Sequence, residues 1–137
     1  MSKLSEKASE YLSREERLNV LSTSNKAGEN NIAVFGSVMA VDDSTVMLML
    51  GENTTCANLR ENPRAALLVY VPGKGGLQAE GCRVYLRLRA MEDTGERFEQ
   101  IKAGIRARVG DAADMLKHLA IFEVLKVRPI IDLGQEI

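Results

Sequence analysis

The stretch 51–65, "GENTTCANLRENPRA", gathers the residues best able to do chemistry. A glycine closes the apolar run Val46–Leu50, and Asn53, Thr54 and Thr55 follow. They open a short segment with helical character that Pro63 must end. If Asn53 caps a helix, the N–H groups of Thr54, Thr55 and Cys56 point outward at the positive end of its dipole. Such an end suits an anion, for example a phosphate, and the two Thr hydroxyls add donors. The same residues also make an ordinary helix cap. Ser22, Thr23 and Ser37 offer further hydroxyls from neighbouring strands, each equally readable as a satisfied or solvent-facing group.

Other reactive side chains are few. Cys56 falls inside the candidate anion site, where its pKa is expected to drop; its alternative role is that of a small helix residue. His118 stands beside Lys117 near an expected helix end, where it would face the C-terminal dipole or act as an acid. No nucleophile or carboxylate pattern accompanies it. Cys56 and Cys82 form neither a CxxC pair nor a disulfide framework and are expected to stay reduced. With a single His, Cys/His metal ligation is not expected. Arg83, Arg87 and Arg89 share one strand face, either for an anionic partner or as a solvated, salt-bridged surface. "PGKGG" (72–76) has no phosphate-loop spacing, and GxSxG, HExxH, EF-hand and Rossmann patterns are absent.

These residues must be held by mainly β elements. Residues 3–13 have the spacing of an amphipathic helix, and Ser13 with Glu16 has that of a capping box. "LNVLSTS" (18–24) alternates as a strand, and "NKAGENN" turns the chain. "IAVFGSVMAV" (32–41) is a second strand interrupted at Gly36, and "TVMLML" (45–50) a third. After the helix that Pro63 stops, "AALLVYV" (65–71) is a fourth strand. "CRVYLRLRAM" (82–91) is a fifth, with Val84, Leu86, Leu88 and Ala90 on its dry face. Phe98, Ile101, Ile105 and Val109 mark a helix from about 95 that Gly110 breaks. "AIFEVLKVRPI" (120–130) is the last strand. Short turns favour antiparallel pairing, and six short strands can close into a small barrel; a β-sandwich is the alternative.

The totals agree. The 137 residues suit one domain. The chain is 45% apolar but only 4% aromatic, so its core must be aliphatic. A net charge of −1 leaves no electrostatic footprint for nucleic acid. No apolar run approaches membrane-helix length, and the charged N-terminus lacks a signal core. A cytoplasmic protein is therefore expected.

The order of elements resembles the FMN-binding split barrel family, which includes pyridoxamine 5′-phosphate oxidase. The similarity runs from the lead helix through "LNVLSTS", "NIAVFGSV", "TVMLML" and "TTCANLRENPRAALLVY" to the closing strand. Its most specific piece is Asn58-Leu59-x-x-Asn62-Pro63 running straight into an apolar strand. Size and order also resemble the small FMN-binding proteins of anaerobic bacteria. The resemblance implies a mainly β, six-stranded antiparallel Greek-key split barrel with flanking helices. It implies a homodimer with one FMN per subunit at the interface. It also implies that Val34, Phe35, Gly36 and Ser37 border the flavin and its phosphate. Met49, Leu50 and Gly51 would lie along the ring or ribityl chain, and Asn53, Thr54 and Thr55 would face the phosphate. Relatives usually carry Arg or Lys at the positions of Thr54 or Thr55. The Arg-rich C-terminal segment of true pyridoxamine phosphate oxidases has no match in "VRPIIDLGQEI". The implied function is thus an FMN oxidoreductase or electron carrier other than that enzyme. The alternative is a binding module of the same barrel that holds haem, another ligand or nothing.

Overall fold

The computed structural model describes residues 3–137. Its elements run α1 (Glu6–Ser13), β1 (Leu18–Ser24), β2 (Asn30–Val34), β3 (Met39–Asp42), β4 (Thr45–Leu50), α2 (Thr54–Glu61), β5 (Arg64–Val71), β6 (Glu80–Glu92), α3 (Glu96–Val109) and β7 (His118–Pro129). Short 3₁₀ turns at Gly76–Gln78 and Gly110–Met115 complete the chain. Seven strands form one antiparallel sheet in the order β2-β1-β5-β6-β7-β4-β3.

The expected six strands become seven because the segment 32–41 does not run straight. Gly36 and Ser37 leave the ladder, and the two halves end on opposite edges of the sheet. That connection dictates the shape. Val34 and Met39 are five positions apart, a reach of at most about 18 Å. Six flat strand-to-strand steps of roughly 4.8 Å would separate the two edges by about 29 Å. The sheet must therefore curl into a barrel, split along the seam that 35–38 crosses.

Side chains close the seam where the ladder stops. Ser37 Oγ donates to the Met49 carbonyl (3.1 Å) and accepts from the Met49 N–H (3.0 Å). Buried Asn19 donates from Nδ2 to the Phe35 carbonyl (3.1 Å). Arg17 reaches the Val38 carbonyl (2.5 Å), the Arg14 carbonyl (2.6 Å) and Asn19 Oδ1 (3.2 Å). The bonds to Met49, Phe35 and Val38 satisfy backbone groups that the missing strand pairing would leave open.

β4 is buried on both faces, which explains its unbroken apolar run. Val46, Leu48 and Leu50 enter the barrel core with Leu21, Leu67, Val84, Leu86 and Phe122. Met47 and Met49 face the other way, into a second cluster with Phe98 and Ile105 of α3, Ala113 and Leu119. α1 packs against β3, β5 and β6 through Ala8, Tyr11 and Leu12.

Two local expectations fail for clear reasons. Ser13–Glu16 caps no helix; α1 is capped by Ser5, whose hydroxyl accepts from the Ala8 N–H (3.2 Å). On β6, inward alternation holds from Val84 to Leu88, then a bulge inserts Arg89 between the pairs Leu88↔Phe122 and Ala90↔Ile121. One extra residue flips the faces, so Ala90 is exposed and Met91 packs on the core.

Candidate functional site

The helix foreseen between Gly51 and Pro63 is α2, and Asn53 is its cap. Asn53 Oδ1 accepts from the Cys56 N–H (2.9 Å), and its carbonyl accepts from Ala57 (3.0 Å). The cap therefore consumes the Cys56 donor that the sequence left open. The N–H groups of Thr54 and Thr55 have no acceptor among the described residues. Thr54 is exposed, whereas Thr55 is buried and its hydroxyl accepts from Asn31 Nδ2 (3.3 Å).

The Asn-rich motif anchors α2 to the barrel. Asn58 donates to Thr23 Oγ1 (3.1 Å) and Asn62 to Ser24 Oγ (3.1 Å), both on β1. Of the hydroxyls offered by the sequence as phosphate donors, Ser37 spends its proton on the Met49 carbonyl, and Thr23 is buried and accepts from Asn58. The candidate segments 34–37 and 49–51 do meet, through the Ser37–Met49 bonds. Within them, Phe35, Met49 and Leu50 are buried, and Val34 and Gly36 are open to solvent. A cavity of about 490 Å³ beside the seam is lined by Arg17, Asn19, Gly36, Ser37, Val38 and Arg108, among others.

Gly51 has a structural reason to be glycine. A Cβ there would sit 2.7 Å from the Met115 carbonyl oxygen. The 3₁₀ turn therefore packs directly on the end of β4, and Lys117 N–H bonds to the Leu50 carbonyl (3.0 Å).

The structure also assembles a cluster that the sequence did not disclose. His118 is the first residue of β7, not a helix end, and pairs with Leu50 across the ladder. Its Nε2 contacts the Glu52 carboxylate and lies 3.3 Å from Arg60. Arg60 makes a two-pronged bond to Glu52 (3.2 Å for each prong). Arg60 first, and His118 second, pull the Glu52 carboxyl down to about 2. Glu52, Cys56 and His118 place an oxygen, a sulfur and a nitrogen within 4.8 Å of one another. The Cys56 thiol is pushed up, not down, because burial outweighs the nearby Arg60 charge. Burial alone pushes Cys82 up to about 12, and both cysteines are free thiols. Of the β6 arginines, Arg83 bonds the Ile130 carbonyl (3.1 Å) and Arg89 pairs with Glu123 (2.7 Å), so both serve the chain itself.

A curled antiparallel sheet, split at one seam, with a capped helix following the strand beside that seam, defines a split-barrel fold. The chain belongs to the pyridoxamine 5′-phosphate oxidase family, whose model matches residues 4–130. An FMN-binding protein from Syntrophomonas wolfei is similar at 28% identity and TM-score 0.78, over 95% of this chain and 87% of that one. HupZ from Group A Streptococcus shares the fold at 18% identity and TM-score 0.75, over 98% of each chain. HutZ, a haem storage protein from Vibrio cholerae, shares it at 15% identity and TM-score 0.65, over 93% of this chain and 94% of that one. None of the curated proteins matches this chain. No helix among the described residues is long and apolar enough to cross a membrane.

Proposed function

We propose that this protein is a small FMN flavoprotein, an oxidoreductase or electron carrier that works as a homodimer. The observation that carries the reading is the N-terminus of α2. It presents two unaccepted N–H groups, of Thr54 and Thr55, directly after the strand whose Met49 is bonded to Ser37. An FMN phosphate at that helix end would receive both N–H groups and the exposed Thr54 hydroxyl. The flavin would extend along Gly51 toward Val34 and Gly36, where the surface is open. The similarity to an FMN-binding protein at 28% identity supports this choice of cofactor. When bound, FMN supplies the electron transfer; the protein supplies orientation and electrostatics. Thr55 contributes its N–H; its buried hydroxyl oxygen accepts from Asn31.

One observation favours the second reading, the same barrel without flavin. The Glu52 carboxylate stands beside the helix end, and Arg60 is already engaged by it. Arg60, the basic residue of α2, is therefore not free to offset a phosphate charge. Titration with FMN and with riboflavin, which lacks the phosphate, decides between the two. The flavoprotein takes up FMN more tightly than riboflavin and gains flavin absorption. Thr54→Lys should tighten FMN on the order of tenfold, about 1.4 kcal/mol, with the gain shrinking as salt rises. A colourless protein that takes up neither flavin supports the second reading.

A further inference from the structure

We propose that Glu52, Cys56 and His118 form a binding site for one zinc ion. The three side chains offer oxygen, sulfur and nitrogen, a donor set that suits Zn²⁺ with a fourth position left for water. Their ligand atoms lie within 4.8 Å of one another. Zinc bonds of roughly 2.0–2.3 Å in a tetrahedron place ligand atoms about 3.3–3.6 Å apart, so side-chain adjustment alone brings them to range. Glu52 and His118 now touch each other, and the ion enters between them.

The backbone is already set for this. Cys56 is fixed by the Asn53 cap, and His118 by the β4–β7 ladder opposite Leu50. Cys56 and His118 are buried, while Glu52 is on an exposed, adaptable side chain. A second sulfur, Met91 Sδ, lies 3.9 Å from Cys56 Sγ and keeps the surroundings of the thiol soft and dry.

Arg60 holds the place of the cation. Its guanidinium lies 3.2 Å from Glu52 and 3.3 Å from His118, and its side chain is 53% exposed. It can swing into water as Zn²⁺ enters. The charges then balance: a thiolate and a carboxylate against one divalent ion. Zinc takes Cys56 as the thiolate, so its proton leaves to the buffer. Arg60 and Zn²⁺ are competitors, and removing the guanidinium should favour the metal. This site does not depend on the flavin reading, since it uses none of the open groups of Thr54 or Thr55.

The test uses the full chain, stripped of metal and free of flavin. Co²⁺ is titrated first as a coloured stand-in, then Zn²⁺ against a chromophoric chelator. The expected result is one ion per chain and a thiolate-to-Co²⁺ charge-transfer band that Zn²⁺ abolishes. Cys56→Ser and His118→Gln should each weaken Zn²⁺ by about 100-fold or more, at or beyond the range of outer-sphere changes. Arg60→Gln should tighten it about tenfold as the like charge departs. Cys82→Ser should leave the band unchanged. Three results overturn the proposal: no charge-transfer band, affinity that survives both ligand substitutions, or weaker binding in Arg60→Gln. If Cys56→Ser fails to fold, the band in wild type and the Arg60→Gln comparison still decide.

Discussion

Gly51 shows how one residue can invite two explanations. Its position after β4 and before a capped helix suits a phosphate site, yet the atom that excludes a side chain is the Met115 carbonyl. Gly51→Ala should therefore destabilise the protein by roughly 1–3 kcal/mol through overpacking. Denaturant melts check this, and hydrogen exchange should rise first at 110–117. Glu52 supports a pH prediction. Its carboxyl lies near 2 in the folded chain against an ordinary 4.5, so its contribution is full above about pH 4.5 and fades as pH falls toward 2. Melts of wild type and Glu52→Gln should differ at neutral pH and converge near the acid end; a difference that persists there would contradict the assignment. The cluster behind this effect was not legible beforehand, because Glu52 and His118 stand 66 residues apart. No local pattern announces a pair made by strand register. The fall expected for the Cys56 pKa failed for a related reason: burial is a property of packing, and here it exceeds the pull of Arg60.

At the scale of elements, the sequence was most readable where one physical signal acted alone. β1 and β4 occupy the segments that alternation and an apolar run marked out, 18–24 and 45–50. Pro63 stops α2 within two residues, and Gly110 ends α3. Reading failed where an element changes sheet edge or face. Gly36 was visible as an interruption, but sending β3 to the far edge is a decision of the whole sheet. The Arg89 bulge left no signal, because alternation carries on through Ala90 in the sequence. The seam that results depends on Ser37. Its hydroxyl replaces a strand partner for both backbone groups of Met49. Ser37→Ala leaves them unpaired and should cost about 1–3 kcal/mol. Ser37→Thr keeps the hydroxyl and should recover most of that loss. A Ser37→Ala protein that melts like wild type would show that the seam is held by packing alone.

The whole molecule has a surface that a lone protomer does not use. β2 pairs with β1 on one side only and ends the sheet. Its inward residues are committed, Ala33 to the core and Asn31 to Thr55. Its outward residues are Ile32 and Val34, 71% and 65% exposed. Isolated apolar residues on a surface are ordinary, but β-branched side chains in line on an edge strand invite pairing with another chain. The proposed flavin path ends at Val34 and Gly36 and runs over open surface, so a second copy would cover both strand and cofactor. Two-fold pairing is the commonest way for a chain to do this. The protein of 15.1 kDa should therefore sediment at twice that mass at micromolar concentration. Val34→Lys would put a charge in the proposed contact and should yield a monomer. Its melting should fall only in so far as dimerisation had raised it, since Val34 packs little within its own protomer. Flavin affinity should drop together with dimer content, because one face of the cofactor returns to water. A wild-type monomer with and without FMN would refute the pairing. A Val34→Lys monomer that binds FMN as tightly as the dimer would leave the pairing intact and remove the flavin from its interface.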